Sequence, residues 1–298
     1  MNLLTIDFGG RSVKYSYWNG ISLLESKSFS TPKTWDEMLV ELIHIKSDFE
    51  NEFHLDGITL SCPGSVDNEK GIIYGMSAIS YIHNWNIKEK LSQIFNLPVS
   101  IENDACCAAL AETWVGVAKE VKHVVFVVIG SGVGGAIVYN GKIWHGSHLF
   151  GGEFGMMLMN IDGKIGFQTL SDLGSPVYMA ERYCKRIGVD KGMYKGIDVF
   201  NKAEAGDLIA IEEIETLIKY LTMALFNIQL SIDPEMIVIG GGISANNKII
   251  DELNKRVQHL FTTAEIKDFQ PIIKSCHYRN DANLIGAVKN FYNEYELK

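Results

Sequence analysis

The sequence is poor in the features that mark exported or membrane-bound proteins. Its five cysteines are an odd number among 298 residues and show no C-x-x-C spacing, which predicts reduced thiols and a cytoplasmic location. No apolar stretch approaches the ~20 residues that span a bilayer. The chain starts with a strand-like segment from Leu3, without a basic segment before it. We therefore predict neither export nor membrane insertion.

Positive charge and the commonest phosphate-binding motif are also missing. Lys and Arg total 27 against 36 Asp and Glu, a net charge of -9, which disfavours nucleic acid as a partner because that affinity depends on clustered basic side chains. The pattern G-x-x-x-x-G-K-[ST] is absent, which excludes a P-loop. No Pro- or Ser-rich linker occurs either, so the two domains that this length suggests are expected to share a hinge and a ligand-binding cleft.

What the sequence does have is a repeat. Each half opens with an apolar strand, a glycine-rich turn, a second strand and an Asn-Gly hairpin signal, over Leu3 to Gly20 and over Val124 to Gly141. A shift of 121 positions superposes Gly9 on Gly130, Asn19 on Asn140 and Gly20 on Gly141. The repeat predicts two related domains that begin with the same β-hairpin unit.

Hydrophobic periodicity predicts most of the remaining elements. Helices are expected at Trp35 to Phe49, Ile87 to Phe95, from Ala105, around Pro176 to Ile187 and Glu212 to Ile232, at Asn247 to Phe261 and from Ala282. Strands are expected at Gly57 to Ser61, Val99 to Glu102 and Met236 to Ile239. The helix from Ala105 is expected to pass into the second domain.

Three glycine clusters follow predicted strands. In the first, Gly9 and Gly10 come after Asp7, where backbone amides can turn towards a phosphate and the carboxylate can hold a water of a bound Mg²⁺. Taken alone, this loop is equally consistent with an ordinary tight hairpin. The third cluster, Gly240-Gly241-Gly242, precedes a helix and suits adenine or ribose.

The second cluster contains a formal G-x-G-x-x-G at Gly130, Gly132 and Gly135. A dinucleotide site requires a helix to begin inside this motif, whereas the residues that follow, Ala136 to Gly141, read as a strand and hairpin. Phosphate binding by paired β-turns is therefore favoured over a Rossmann site.

Asp104 stands where a predicted strand ends and a helix begins. A carboxylate there can accept the proton of a sugar hydroxyl during phosphoryl transfer, or it can cap the helix. Asn103 offers an amide and Glu153 a bidentate acceptor, the groups that bind vicinal sugar hydroxyls by paired hydrogen bonds.

Asn84 and Trp85 share a loop that suits a sugar, although Trp85 equally suits the hydrophobic core. Two histidines, His145 and His148, lack nearby cysteines in the sequence and favour a polar loop over a metal site.

These motifs together resemble the repressor, ORF and kinase (ROK) family of sugar kinases, in the actin-like ATPase superfamily, over essentially the whole chain. The resemblance implies an α/β fold of two actin-like ATPase (ribonuclease H-like) domains with a cleft between them, residues 1–104 plus a C-terminal helix at about 283–298, and residues 105–282. It implies ATP and Mg²⁺, phosphorylation of a hexose hydroxyl at the 6-position with Asp104 as base, and a homodimer.

The family's motifs also imply roles for individual residues. The implied nucleotide contacts are Asp7, Gly9, Gly10, Arg11, Lys14, Gly130, Ser131, Gly132, Gly134, Gly240, Gly241 and Gly242, with Asp7 also holding Mg²⁺ through water. The implied sugar contacts are Pro63, Gly64, Asn84, Asn103, Asp104, Glu153 and Gln168.

The chain departs from the family pattern at four places. Arg11 and Ser131 each stand where the family has Thr, and Met156 stands where it commonly has a zinc-binding His. The family's C-x-C-G-x-x-G-C cluster is missing, since no cysteine lies between Cys107 and Cys184, which predicts no zinc site. Arg11 also supports the rival hypothesis of a catalytically weakened sugar sensor. A DNA-binding regulator is disfavoured, because the first strand begins near residue 2 and the charge is acidic.

Overall fold

The computed structural model of the chain describes residues 1–162, 166–278 and 281–296. The strands in these ranges are β1 (Leu3–Phe8), β2 (Ser12–Trp18), β3 (Lys27–Ser30), β4 (Gly57–Cys62), β5 (Ser65–Asp67), β6 (Ile72–Tyr74), β7 (Val99–Asn103), β8 (Val124–Ile129), β9 (Val133–Tyr139), β10 (Lys142–Ile143), β11 (Leu158–Asp162), β12 (Gly166–Thr169), β13 (Met236–Gly240) and β14 (Ile273–Ser275).

Helices account for much of the rest. The α-helices are α1 (Trp35–Glu50), α2 (Ile87–Phe95), α3 (Asp104–Trp114), α4 (Leu170–Gly174), α5 (Pro176–Ile187), α6 (Gly196–Glu204), α7 (Leu208–Ile232), α8 (Asn247–Thr263) and α9 (Ala282–Glu294). Short 3₁₀ helices lie at Ser80–Ile82, Phe154–Met156, Gly242–Ala245 and Lys267–Phe269. Among the described helices, none is long and apolar enough to cross a membrane.

Two sheets of five strands have the same topology. Their strand orders are β3-β2-β1-β4-β7 and β10-β9-β8-β13-β14. In each sheet the opening hairpin is antiparallel, and the next two strands join it in parallel. The bounds of β8 and β9 lie 121 positions after those of β1 and β2, so the predicted repeat is confirmed at the level of individual residues.

The contacts within the chain form two compact units. The first unit comprises Met1–Glu120, His145–Phe150 and Tyr278–Lys298, and the second comprises Val121–Trp144 and Gly151–His277. The second unit has its own buried core, in which Leu217 and Leu221 of α7 pack with residues of the second sheet.

In the first unit, buried hydroxyls tie the sheet to α9. Thr5 of β1 donates to the carbonyl of Leu284 at 2.9 Å, and Thr59 of β4 donates to the carbonyl of Ala287 at 2.7 Å. Each hydroxyl thereby satisfies a helix carbonyl beneath the sheet, where an unpaired polar group would be costly.

The position of α3 differs from the sequence-based division of the chain. We predicted that the first domain ends at residue 104 and that the helix after it passes into the second domain, whereas α3 packs within the first unit. Gly286 of α9 lies directly against the carbonyl of Cys107 in α3, a contact that leaves no room for a side chain. This close helix crossing keeps α3 with the first unit, which extends to Glu120.

Most predicted elements lie within a few residues of their predicted positions. The prediction for α2, Ile87 to Phe95, matches its observed bounds, and α7 begins four residues before the predicted Glu212. The sequence did not predict β11 and β12, which form a separate two-stranded sheet with largely exposed apolar residues such as Ile161 and Phe167. Because apolar residues are exposed in these strands, the sequence lacks the alternation of apolar and polar residues that predicts a half-buried strand.

Candidate active site

Several predicted site residues of the first unit lie at the ends of neighbouring strands. Asp7 in β1 is opposite Ser61 in β4, and Ser61 is in turn opposite Glu102 in β7. Because these strands are parallel, their carboxyl ends meet at one edge of the sheet, the usual place for a ligand in such folds. Gly64 and Asp104, just after β4 and β7, therefore share that edge with Asp7.

Asp7 is held by two hydrogen bonds from distant parts of the chain. The Ser61 hydroxyl donates to its Oδ1 at 2.7 Å, and the Asn283 amide donates to the same oxygen at 3.1 Å. Burial raises the pKa of Asp7, an effect opposed by these two hydrogen bonds and by the charge of Lys14. No pattern in the sequence pointed to Asn283, which lies 276 residues away.

The turn after Asp7 is shaped by its glycines. A Cβ on Gly9 would lie 2.5 Å from the carbonyl oxygen of Ser12, and one on Gly10 would lie 2.6 Å from the Cβ of Ala78. The side chain of Arg11 at the tip is exposed, and Lys14 lies opposite Asp7 in the hairpin register. Neither position therefore has room for a side chain, and the turn presents Arg11 outward.

Asn103, and not Asp104, caps α3. The Asn103 side chain accepts from the backbone N–H of Cys106 at 3.1 Å, and its amide donates to the carbonyl of Gly64 at 3.0 Å. Asp104 is the first residue of the helix, and its Oδ1 accepts from the N–H of Ala105 at 2.8 Å. The capping role that we considered for Asp104 is thus filled by its neighbour.

The loop containing Asn84 packs beside Gly64. Gly64 has φ +100°, and a Cβ there would lie 2.9 Å from the ring of His83. Asn84 is exposed with φ +64°, and its N–H donates to the carbonyl of Ile73 at 2.8 Å. Trp85 packs edge-on against Trp35, with ring centroids 4.8 Å apart, so it lies against the core of the first unit. Pro63 directly precedes Gly64 and is half-buried.

A pair of side chains that the sequence did not connect lies beside this edge. His145 Nε2 is 2.9 Å from Oε2 of Glu102, which is only 1% exposed and also accepts from the Asn68 amide at 3.3 Å. Burial lowers the pKa of His145, but the hydrogen bond and charge of Glu102, with Asp67 and Glu69, raise it overall. Although no cysteine is near His145 in the sequence, Cys106 is close to it in space.

In the second unit the glycine loop between β8 and β9 is open. A Cβ on Gly130 or Gly134 would meet no atom within 4 Å, while one on Gly132 would lie 3.3 Å from the Ser171 hydroxyl. Ser131 at the tip is exposed. The strand β9 follows the loop directly, which confirms that no helix begins inside the motif and removes the dinucleotide alternative.

The third glycine cluster ends at a cavity, which Gly242 lines. Gly241 has φ +77° and lies against the carbonyl of Ile129, and Gly240 packs against the ring of Phe126. The cavity has a volume of about 640 Å³ and belongs wholly to the second unit. Its lining includes Gly130, Gly242, Ile243, Ile197, Phe200 and Lys248. The apolar wall residues Ile197 and Phe200 lie on α6, and no sequence motif pointed to them.

The two remaining predicted residues also lie in the second unit. Glu153 immediately precedes the 3₁₀ helix Phe154–Met156, and partial burial raises the pKa of its carboxyl. Gly155 next to it packs against the Val133 carbonyl, which anchors this segment to β9. The side-chain oxygen of Gln168 in β12 accepts a hydrogen bond from the Asn160 amide at 3.0 Å, so part of its hydrogen-bonding capacity is used within the protein.

Comparison with known proteins agrees with this architecture. Residues 3–293 match the ROK family. A beta-glucoside kinase of Listeria monocytogenes is 30% identical over 298 residues, covering 99% of this chain and 98% of the relative. A glucokinase of Halalkalibacterium halodurans is 32% identical over 254 residues, covering 78% of this chain and 75% of the relative.

Among solved structures, a ROK family protein from Streptococcus pneumoniae in complex with sucrose has a TM-score of 0.91 and 35% identity, covering 99% of each chain. A likeness of this extent confirms the predicted fold class, an α/β fold of two actin-like ATPase domains. With the family matched across nearly all of its residues, this chain belongs to the ROK family.

Proposed function

We propose that this protein transfers the terminal phosphoryl group of ATP to a hydroxyl of a hexose or hexose derivative, at the 6-position, with Asp104 as general base. The chain is a sugar kinase, the class of its full-length relatives. The observation that carries the role of Asp104 is its place as first residue of α3, beside Asn103, which supplies the helix cap in its stead.

The surroundings of Asp104 suit a proton acceptor. A carboxylate in the first turn of a helix is stabilised by the N-terminal end of the helix dipole. As the sugar oxygen bonds to phosphorus its proton becomes acidic, and a carboxylate within hydrogen-bond distance accepts it. Asn103 fixes the backbone immediately before Asp104 through hydrogen bonds to Cys106 and Gly64.

We assign ATP to the glycine loops. The cavity of about 640 Å³ has apolar walls at Ile197 and Phe200 that suit the flat adenine ring, and Gly242 also lines it. We assign Gly240 and Gly241, which directly precede Gly242, to the same nucleotide site. We assign phosphate contacts to Gly130, Ser131, Gly132 and Gly134, because the space beside Gly130 and Gly134 leaves room for phosphate oxygens. We assign further phosphate contacts to Gly9, Gly10, Arg11 and Lys14.

The residues at Asp7 fit a magnesium ion held through water. Mg²⁺ prefers oxygen ligands and keeps several of its waters, and when bound to ATP it neutralises charge on the phosphates. Ser61 and Asn283 fix the orientation of the Asp7 carboxylate by donating to Oδ1. A carboxylate so oriented would hold Mg²⁺ by accepting hydrogen bonds from the water molecules of the ion.

The sugar contacts that we propose besides Asp104 are Pro63, Gly64, Asn84, Asn103, Glu153 and Gln168. Glu153 accepts hydrogen bonds from vicinal hydroxyls as an ionised carboxylate. The named relatives make a beta-glucoside and glucose the first acceptors to test.

The decisive experiment measures ADP release and sugar phosphate formation together. Purified protein with ATP and Mg²⁺ is supplied with glucose, cellobiose, N-acetylmannosamine or fructose, and the phosphorylated position is read by ³¹P and ¹H NMR. We expect turnover with at least one sugar and phosphate on its 6-hydroxyl. Sugar binding without ADP release would overturn the proposal in favour of a sugar sensor, the function that Arg11 favours.

We also propose that catalysis needs no zinc. The family's cysteine cluster is missing, and Met156, with an exposed thioether, stands at the histidine position of that site. Full activity is expected after exhaustive zinc chelation once Mg²⁺ is restored. Activity that only added zinc recovers would contradict this.

Assembly and location are further parts of the proposal. The family resemblance supports a homodimer, which light scattering of the purified protein tests directly. All five cysteines are buried and form no disulfide, which supports a reducing, cytoplasmic environment.

A further inference from the structure

One group of metal-binding side chains lies outside the proposed phosphoryl-transfer chemistry. In the part of the chain that the structure describes, Glu102, Cys106 and His145 bring one ligand atom each to within 4.8 Å of one another. The closest pair is Oε2 of Glu102 and Nε2 of His145, at 2.9 Å. All three residues belong to the first unit.

Two of these residues are placed by the junction of β7 and α3. Glu102 lies in β7, and Cys106 lies in the first turn of α3, four positions later. The Asn103 cap fixes this turn, since its side chain accepts from the Cys106 N–H, and Glu102 Oε1 accepts from the Asn103 N–H at 2.7 Å. The carboxylate and thiol therefore lie on packed elements, so little ordering is needed to bring them together.

The third residue gives access from outside. His145 begins the separate segment His145–Phe150, and its side chain is 25% exposed. Glu102 and Cys106 are 1% and 5% exposed. An ion reaching this cluster would meet the imidazole first and then two donors that are shielded from bulk water.

We propose that Glu102, Cys106 and His145 form a binding site for a Zn²⁺-class transition-metal ion. A thiolate, an imidazole and a carboxylate are the ligand types of three-residue zinc sites, in which water or another small ligand takes the fourth position. The ion replaces the proton of the Cys106 thiol and balances the charges of thiolate and carboxylate. Mg²⁺ does not compete, because thiolate and imidazole favour softer ions.

This site is separate from the zinc site of the ROK family. That site uses a cysteine cluster and a histidine that this chain lacks, with Met156 at the histidine position. The proposed site does not depend on the kinase proposal either, because metal binding is measured without sugar or ATP. Its occupancy is not required for phosphoryl transfer.

The test uses the full-length protein after removal of bound metal. Zn²⁺ binding is measured by competition with a chromogenic chelator, and Co²⁺ is added separately to read the thiolate-to-metal absorption band. We expect equimolar binding of Zn²⁺ and a Co²⁺ spectrum typical of a four-coordinate site with a thiolate ligand. Absence of equimolar Zn²⁺ binding to the wild-type protein would overturn the proposal.

Matched variants assign the ligands. Cys106→Ala and His145→Gln are each expected to weaken Zn²⁺ binding by about 100-fold or more, since even residues that only support a metal ligand cost 10- to 100-fold when removed. The controls Cys107→Ala and His148→Gln, which alter the neighbouring cysteine and the other histidine of the same segment, should bind as the wild type does. Unchanged binding in both ligand variants would place the ion elsewhere and refute the assignment. If Cys106→Ala fails to fold, His145→Gln still decides, because its side chain lies at the accessible side.

Discussion

The side-chain amide of Asn103 donates to the carbonyl oxygen of Gly64 at 3.0 Å. This bond joins the turn after β4 to the start of α3, and the oxygen of the same amide caps the helix. Asp104 is therefore positioned by a residue whose two polar atoms are both used structurally. These two hydrogen bonds fix the orientation of the Asn103 side chain before any sugar contacts it.

Replacing Asp104 by Asn tests the proposed base. The amide cannot accept the sugar proton as a carboxylate does, so kcat should fall by about two to four orders of magnitude, the usual contribution of a general base. Sugar affinity, measured by calorimetry, should stay near the wild-type value. Asp48→Asn is the control, since Asp48 is exposed and pairs with His44 on α1. Turnover near that of the control would remove Asp104 from the chemistry.

Two substitutions of Asn103 separate its cap from its bond to Gly64. Serine keeps an oxygen that can cap α3 but cannot reach the Gly64 carbonyl, whereas alanine loses both. Both variants should raise the KM for sugar alike, and alanine should lower the free energy of unfolding by about 1 kcal/mol more than serine does. Urea unfolding and initial-rate kinetics give the two quantities. A normal sugar KM in the serine variant would show that the bond to Gly64 is dispensable for binding.

Two glycines of the second unit are expected to differ when changed to alanine. A methyl group on Gly130 meets no atom within 4 Å, so Gly130→Ala should fold normally but hinder a phosphate, raising the KM for ATP about tenfold. Gly241 has φ +77° and contacts the Ile129 carbonyl, so Gly241→Ala should cost more than about 1 kcal/mol of stability. Thermal unfolding and ATP kinetics on both variants check this contrast. Equal stability of the two would refute it.

The fold was largely predictable because its signals are local. The paired hairpins, their turns and the amphipathic helices each leave a pattern in neighbouring residues. The repeat read from that pattern therefore matches the observed bounds of β1, β2, β8 and β9. Asp7 and Asp104 were identified in the same way from their places at predicted strand ends, whereas Gly64 was implied only by the family resemblance. Parallel strands bring all three to one edge of the sheet. The placement of α3 was not predictable, because it depends on the crossing with Gly286 far along the chain.

The partners of the motif residues were not predictable for a similar reason. Asn283 supports Asp7, and His145 pairs with Glu102, across separations that leave no periodic signal. Glu102 offered one hint, since an acid within an otherwise apolar strand must find a partner when buried. The apolar wall at Phe200 carried none, because it reads as an ordinary helix face.

Glu153→Gln is expected to lower activity without lowering stability. Partial burial raises the pKa of the Glu153 carboxyl above its ordinary value of 4.5, so ionising this carboxyl costs more in the folded protein than in the unfolded chain. The sign follows from proton binding: the folded state holds the proton more tightly, so stability decreases as pH rises through the raised pKa. Glutamine removes this cost. Because Glu153 is exposed, solvent keeps the effect small, so the variant should melt at or only slightly above the wild-type temperature at pH 7, a difference that disappears below about pH 4.5.

The same substitution should weaken catalysis. An ionised acceptor of sugar hydroxyls contributes about 1.5–3 kcal/mol, so kcat/KM for sugar should fall about 10- to 100-fold. In the wild type, kcat/KM should also fall as the pH drops through the raised pKa, and the variant should lack this limb. Glu265→Gln, at an exposed position of the second unit, serves as the control for both the melting and the kinetics. A variant that is less stable than this control and equally active would show that Glu153 supports the fold and does not bind the sugar.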